Sequence, residues 1–269
     1  MMTPTRGVYD TPSRMAWSLA TLAPVVLLEA FARGSAWLVF LLLANLLAMV
    51  VAVLTNRPGR PIASWVFANL DVAVAATLVF LLLYAGANLW LASAATALSV
   101  FLARSLFGGP GQNLFHPGML ALALLGLHAA ISPAPAPWSE WTVIACWLGC
   151  GVLLARGLVS WRAPVAFLAG AIATAVVFDN ASTGAGDIAA VLGNPAMVIG
   201  AFFVAGDPTT GCIQPRARLA YGVCAGTLVV LVSGWQPGIG LPLAMLLMNF
   251  LAPWLDRVLA TPRREAIAR

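Results

Sequence analysis

The sequence predicts an all-α integral membrane protein with about ten transmembrane helices in two inverted five-helix repeats. Three observations predict this fold: an apolar composition, ten apolar segments whose flanking arginines favour one side, and two similar Gly/Pro-rich interruptions. We expect broken helices at the interruptions and both termini in the cytoplasm. Residues 1–14 are interpreted as a cytoplasmic tail, 15–258 as one membrane domain with halves at about 15–132 and 141–258, and 259–269 as a basic cytoplasmic tail.

The composition excludes a soluble protein. Hydrophobic residues make up 61% of the 269 residues, charged residues only 9%, and the mean hydropathy is +0.94. A typical soluble domain carries roughly 25% charged residues. The net charge of +5 comes entirely from arginine, and there is no lysine. Because basic residues flank membrane spans on the cytoplasmic side, this charge does not indicate nucleic-acid binding.

Ten apolar segments are long enough to consider as spans, although several fall short of the roughly 20 residues of an upright crossing. A helix that begins halfway through the membrane, after a Gly/Pro loop, also gives a short apolar segment. The polar stretch before the first segment leads directly into further spans, so we interpret that segment as a retained helix and not a cleaved signal. The segments are 15–32, 36–54, 66–85, 89–104, 118–132, 141–156, 163–178, 191–206, 218–233 and 240–257.

The arginines support this count. With a cytoplasmic N-terminus and ten crossings, thirteen of the fourteen arginines lie on the cytoplasmic side, as the positive-inside rule predicts. Arg33 is the exception, and it follows Glu29 by four residues. That spacing places the two side chains on one helix face, so we expect them to form an ion pair.

The two interruptions have similar sequences. Asn113, Pro117 and Met119 precede or begin the fifth segment, and the string GNPAM at 193–197 begins the eighth. The first helix would run outward and the second inward, which indicates an inverted repeat with a site between the halves. The free N–H groups of such helix starts favour an anionic or carbonyl-rich ligand, with Asn113 and Asn194 beside it. The alternative is a pair of ordinary loops with capped helices.

Three stretches resemble the RnfD/NqrB family. ARSLFGGPGQNLFHPGMLALALL at 103–125 resembles its G-K-x-L-F-G-G-L-G-x-N-P-F-N-P-A-M stretch, and SWRAPVAFLAG at 160–170 resembles its S-W-R-I-P segment. GAFFVAGDPTTGCIQPRARLAYG at 200–222 is similar to its G-A-F-F-M-A-T-D-P-V-T segment with the following P-R-G-R. The matches occur in the family's order.

The resemblance implies a ten-helix subunit of a membrane redox complex that passes electrons among flavins and iron–sulfur clusters and moves sodium or protons. Members carry FMN joined through phosphate to a threonine of an S-G-A-T motif, in the loop between the fifth and sixth spans. Their fold is similar to that of urea transporters.

The chain departs from the family where the flavin is attached. Between the fifth and sixth segments it has only SPAPAPWSE at 132–140, and S-G-A-T occurs nowhere. The nearest string, DNASTGAGD at 179–187, has Gly186 at the acceptor position and lies in another loop. We therefore expect no covalent FMN, and a non-covalent FMN or riboflavin as the candidate cofactor. A smaller departure is His116, which replaces the second Asn of N-P-F-N-P.

Seven residues are candidates for cofactor binding. The hydroxyls and carboxylate after the eighth segment suit a flavin's ribityl chain or polar ring edge, and His116 suits a flavin or quinone carbonyl or a proton. The alternative for the loop is a helix cap followed by a basic membrane anchor. The candidates are Asn113, His116, Asn194, Asp207, Thr209, Thr210 and Arg216.

Asp71 is the candidate for an ion path, because an ionisable group at membrane depth is functional by default. The alternative is a structural carboxylate paired with Arg57 or Arg60. Cys146 and Cys150 share a helix face, but two thiols do not complete an iron–sulfur site, and small buried cysteines are common in apolar helices. No metal site and no catalytic residue are assigned.

These features predict a non-autonomous membrane subunit of an ion-coupled, Rnf/Nqr-like electron transport complex in the bacterial inner membrane. It would use or support a non-covalent flavin, with other membrane subunits, the lipid bilayer and a quinone as partners and no nucleic acid. Two alternatives remain: a channel or carrier for a small polar solute or ion, and a scaffold without its own chemistry.

Overall fold

The computed structural model describes residues 11–55, 67–84, 86–107, 113–128, 138–178, 188–236 and 238–260. These ranges contain helices and connecting turns, and no β-strand occurs among them. Both predicted tails lie wholly or largely outside them, as do Arg57, Arg60, the string at 179–187 and most of the connection at 132–140.

Each of the ten predicted segments overlaps a described helix, and the eighth, 191–206, covers the end of one short helix and the whole of the next. The first half contains α1 (Thr11–Arg33), α2 (Ser35–Thr55), α3 (Leu70–Leu82), α4 (Leu89–Ala103) and α5 (Pro117–His128). The second half contains α6 (Glu140–Ala155), α7 (Arg162–Phe178), the short α8 (Ile188–Leu192), α9 (Pro195–Ile199) with its π-helical continuation Gly200–Ala205, α10 (Pro215–Trp235) and α11 (Gly240–Val258).

Five of the described helices are long and apolar enough to cross a membrane, which confirms an all-α membrane protein. They are Pro12–Arg33, Ser35–Thr55, Leu89–Phe107, Pro215–Trp235 and Gly240–Val258. Others, such as Leu70–Leu82 and Arg162–Phe178, are apolar but shorter. The count of ten spans and the inside–outside orientation stay predictions.

Helix packing follows the same order in both halves. In the first half α1 packs on α3, α2 on α4, and α4 on α5; in the second α6 packs on α9, α7 on α10, and α10 on α11. The halves meet where α1 packs on α6 and α5 on α11. By packing order, α9 of the second half corresponds to α3 of the first half, and α11 corresponds to α5. The interruption before α9 therefore does not correspond to the one before α5, although the sequence comparison suggests this correspondence.

Glycines allow α7 and α10 to approach until their backbones touch. A Cβ on Gly222 would lie 2.5 Å from the carbonyl oxygen of Ala163, and one on Gly226 would overlap the carbonyl oxygen of Phe167. Thr174 of α7 donates to Thr227 of α10 at 3.0 Å in the same interface. Small residues of this kind drive helix association in lipid, because close packing and hydrogen bonds replace the hydrophobic effect there.

Two arginines hold the ends of α3, whose side chains from Val74 to Leu81 are buried. At the C-terminal end, Arg33 donates to the carbonyls of Leu83 at 3.1 Å and Leu81 at 3.3 Å. These carbonyls have no partner within the helix, so the guanidinium satisfies groups that lipid could not. The predicted ion pair is also confirmed, with Arg33 Nε 2.7 Å from Glu29 Oε2.

The N-terminal end of α3 is held by Arg104, whose side chain is fully buried. Its Nε lies 2.7 Å from Asp71 Oδ2, and its Nη2 lies 3.2 Å from Asp71 Oδ1 and 2.5 Å from Asn69 Oδ1. The partner of Asp71 in the described chain is therefore Arg104 and not Arg57 or Arg60, which lie outside it. A two-point contact of this kind orients the carboxylate as well as neutralising it.

We predict that Gly226→Ala destabilises the protein by about 1–3 kcal/mol, because the added methyl forces α7 and α10 apart. Thermal unfolding of the purified chain in mild detergent measures the effect. Gly151→Ala on α6 is the matched control, since Gly151 is exposed and a methyl group added there would meet no heavy atom within 4 Å. Equal unfolding temperatures for the two variants would contradict close packing at Gly226.

We predict that Arg104→Met lowers the free energy of unfolding by about 3–5 kcal/mol, because it leaves the Asp71 carboxylate buried without its cation. The double variant Arg104→Met/Asp71→Leu should recover much of that loss, since it removes both charges. Denaturant unfolding in mixed micelles gives both values. A double variant as unstable as the single one would show that the ion pair is not the source of the loss.

Candidate functional site

A cavity of about 180 Å³ lies between the two halves at one end of the helix bundle. Arg14 in the first turns of α1 contributes to its wall from the first half. Ser160 before α7, Asp207 after the π-helical turn and Arg218 in α10 line it from the second half. The arginines near this end place it on the predicted cytoplasmic side.

A narrower cavity of about 40 Å³ continues inward from the first one. The two share Arg14 and Asp207, and the inner one reaches Val74 of α3, Phe202 of the π-helical turn and His116. We call the two adjoining cavities the cleft. It brings together His116 and Asp207, two candidates that are 91 residues apart in the sequence.

The local structure around Asp207 fixes its carboxylate. The π-helical turn Gly200–Ala205 ends at Gly206, and Asp207 Oδ1 then accepts from the backbone N–H of Thr209 at 3.0 Å. Its Oδ2 accepts from the hydroxyls of Thr209 at 2.6 Å and Thr210 at 3.5 Å. These hydroxyls therefore position the carboxylate, while π-helical turns often mark functional sites.

His116 is buried at the start of α5 and is held through its backbone. In the amide orientation that satisfies every partner, Asn249 of α11 accepts from the His116 N–H at 3.0 Å and donates to the Tyr221 hydroxyl at 2.7 Å and to the Met245 carbonyl at 3.2 Å. The imidazole Nδ1 is buried without a hydrogen-bond partner in the described chain. His116 also lines the inner cavity, together with the polar residues Arg14, Ser18 and Asp207.

Burial decides the protonation of His116. Removal from water lowers the pKa of its imidazole, and the negative charge of Asp207 opposes that shift without cancelling it. The ring is therefore neutral at pH 7. A neutral imidazole can donate from one nitrogen and accept at the other, which suits a carbonyl or an amide edge.

Three further candidates lie apart from the cleft wall. Asn194 caps α9, where its Oδ1 accepts from the Ala196 N–H at 2.9 Å. Between it and Asp207 run the eleven helical residues Pro195–Ala205, a length of about 16 Å at 1.5 Å per residue. Arg216 is exposed, whereas Arg218 lines the cavity. Asn113 is buried near His116, and its side-chain oxygen has no partner in the described chain.

The described chain does not enclose a complete flavin. Pockets for ligands of that size occupy roughly 300–1,000 Å³, and the larger cavity offers about 180 Å³. The polar groups of the cleft can contact one edge of such a molecule, but its ring system would extend beyond these residues.

The described cysteines provide neither a metal site nor a reactive thiol in the cleft, although Cys212 lines its larger cavity. Cys146 and Cys150 are buried in α6, and no group of three or more His, Cys, Asp and Glu side chains that could hold a metal occurs in the described ranges. Burial raises the pKa of Cys212 to about 12, and its thiol contacts the Ala252 carbonyl at 3.6 Å. It is therefore a poor nucleophile.

Sequence reasoning missed four residues of the site: Arg14, Arg218, Tyr221 and Asn249. The arginines were counted only as markers of topology. Tyr221 and Asn249 are polar residues inside apolar helices, and this is the signal that could have indicated a buried network.

Comparison with known proteins gives consistent relatives over nearly the whole chain. The curated RnfD protein of Pseudomonas aeruginosa (strain LESB58), named as part of an ion-translocating oxidoreductase complex, is 29% identical over 316 aligned positions, covering 93% of this chain and 91% of the relative. Proteins of the same name from Ectopseudomonas mendocina (strain ymp) and Vibrio cholerae serotype O1 (strain M66-2) are 27% and 24% identical, over 93% of this chain and 91% and 94% of theirs.

The family model described as NQR2, RnfD, RnfE family matches residues 4–132 and 127–264. These two parts cover both halves of the helix bundle and include His116, Asp207 and every other side chain named for the cleft. The chain therefore belongs to the NQR2, RnfD, RnfE family.

Proposed function

We propose that the chain is the membrane subunit of an ion-coupled redox complex in the bacterial inner membrane. The observation that carries this proposal is the family match across both halves, together with RnfD relatives whose names place them in an ion-translocating oxidoreductase complex. Such a subunit acts with other membrane subunits, and a quinone is a candidate electron acceptor. The same match favours this function over a solute channel or carrier.

The proposal includes two five-helix repeats of inverted topology, with ten spans and cytoplasmic termini. The repeated packing order of the helices supports it. A second support is the similarity of HPGM at 116–119, which begins α5, to QPGI at 236–239, which precedes α11. Because each half has an odd number of spans, the second half begins on the opposite side of the membrane and has the inverted orientation. The cleft then lies where the two halves face one another.

We further propose that any flavin is bound non-covalently, where the cleft opens towards a partner subunit. The two ranges matched by the family model meet and overlap at 127–132, next to the short connection that lacks S-G-A-T. The alignment with the Pseudomonas aeruginosa relative has 316 positions against 269 residues in this chain, so that relative contains residues that this chain lacks. The His116 imidazole and the Asp207 carboxylate are among the polar groups that line the inner cavity and could contact the flavin's edge.

Purification of the tagged chain from its native membrane in mild detergent tests this function. We expect further membrane subunits to co-purify, and the sample to show a flavin spectrum that a reductant bleaches. Denaturation in acid should release the flavin from this chain's band on a gel, since no covalent link is expected. A chain that purifies alone, without a reducible group, would contradict the proposal.

We predict that His116→Leu lowers the electron-transfer rate of the purified complex about tenfold, because one hydrogen bond in the cleft is lost. His116→Asn is the matched control. It places the residue of the related family motif at this position and can still donate or accept, so most of the rate should remain. Unfolding temperatures of both variants show whether the start of α5 is intact, and a folded His116→Leu variant with full activity would exclude a role for the imidazole.

A further inference from the structure

Two arginines line the larger cavity of the cleft. Arg14 and Arg218 face it from opposite halves. Like charges this close repel each other, and a low-dielectric wall strengthens the repulsion. An arrangement of this kind is stable when an anion or a set of carboxylates neutralises it.

Neither arginine forms an ion pair within the described chain. The ion pairs found there are Arg33 with Glu29 and Arg104 with Asp71, both away from this cavity. Arg14 Nε is buried and has no hydrogen-bond partner in the same part of the chain, and Arg218 Nε donates to the neutral carbonyl of Cys212 at 2.9 Å. A guanidinium that lines a cavity without a carboxylate partner favours a bound anion there.

The two nearby carboxylates accept hydrogen bonds from neutral donors, although the charge of Asp256 also acts on Arg218. Asp256 accepts from the backbone N–H groups of Ile213 at 2.9 Å and Gln214 at 2.8 Å. Asp207 accepts from Thr209 and Thr210, as described above. Asp207 still faces the cavity, so its charge offsets one of the two lining arginines. The lining therefore carries a net charge of +1, which matches a singly charged anion.

We propose that this cavity binds a singly charged phosphoryl group between Arg14 and Arg218. Guanidinium groups favour phosphate oxygens because their planar N–H pairs match them, and the Ser160 hydroxyl in the same wall is a further donor. A cavity of about 180 Å³ has the volume of several waters at roughly 30 Å³ each, enough for a phosphoryl group and its hydration. This inference does not depend on the redox role.

Two sources supply such a group: the phosphodiester of a phospholipid in the cytoplasmic leaflet, and soluble dihydrogen phosphate. The wild-type chain, purified in non-ionic detergent without phosphate, is titrated with inorganic phosphate against chloride at equal ionic strength. In parallel it is placed in lipid nanodiscs of phosphatidylglycerol, or of an uncharged glycolipid. The readouts are the unfolding temperature in both arms and radiolabelled phosphate bound at equilibrium in the soluble arm.

We expect binding in at least one arm, with affinity reduced about tenfold or more by Arg14→Gln or Arg218→Gln. Arg216→Gln is the matched control, because Arg216 is exposed on the same turn of α10 and its replacement removes the same charge outside the cavity. Stabilisation by phosphate identifies the soluble source, and stabilisation by phosphatidylglycerol alone identifies the lipid.

Two results would overturn the site. One is a wild-type chain that responds to neither phosphate nor phosphatidylglycerol, a measurement that needs no variant to fold. The other is an equal response in Arg216→Gln and Arg218→Gln, which would assign the effect to general surface charge. If Arg14→Gln fails to fold, Arg14→Lys is the second variant, because it keeps the charge but loses the paired N–H groups of the guanidinium. Its stabilisation by the anion should then be weaker than that of the wild type.

Discussion

The hydrogen bonds of Asn249 hold together the region where helix is interrupted. The chain enters α5 from an irregular segment, and the N–H of His116 has no partner inside the helix. In lipid such a donor is costly, so irregular backbone persists only where protein satisfies it. One carboxamide contacts His116, Tyr221 and Met245, and thereby ties α5, α10 and α11 together. The inner cleft is the space beside this junction.

The same rule explains where charge is buried in the chain. Both ends of α3 are embedded, and at each end an arginine from another helix supplies donors: Arg33 to carbonyl oxygens, and Arg104 to Asp71 and Asn69. Guanidinium groups suit this role because they stay protonated and offer several N–H groups in one plane. These clusters are structural, because each arginine pairs with a carboxylate, whereas Arg14 and Arg218 of the cleft form no ion pair in the described chain.

Much of this could be predicted from the sequence, because helical segments, positive-inside bias and i,i+4 pairs are local signals. The helices and the Glu29–Arg33 pair followed from such signals. The convergence of His116 and Asp207 was anticipated only through their family motifs. The contact of Asp71 with Arg104 was not predicted, because the two residues lie 33 positions apart and no periodicity links them. Contacts that depend on packing between the halves, such as that of Asn249, have no local sequence signal. The only indication in the sequence is a polar residue inside an apolar helix.

The backbone contact between α7 and α10 limits how the protein can move. Gly222 and Gly226 bring the backbones of the two helices into contact, so we expect the helices to shift as one body. Ser160 precedes one of these helices and Arg218 lies in the other, so that side of the cleft keeps a constant width. Any opening or narrowing of the cleft must then come from the opposite wall, by displacement of α1, α3 and the start of α5 relative to α7 and α10.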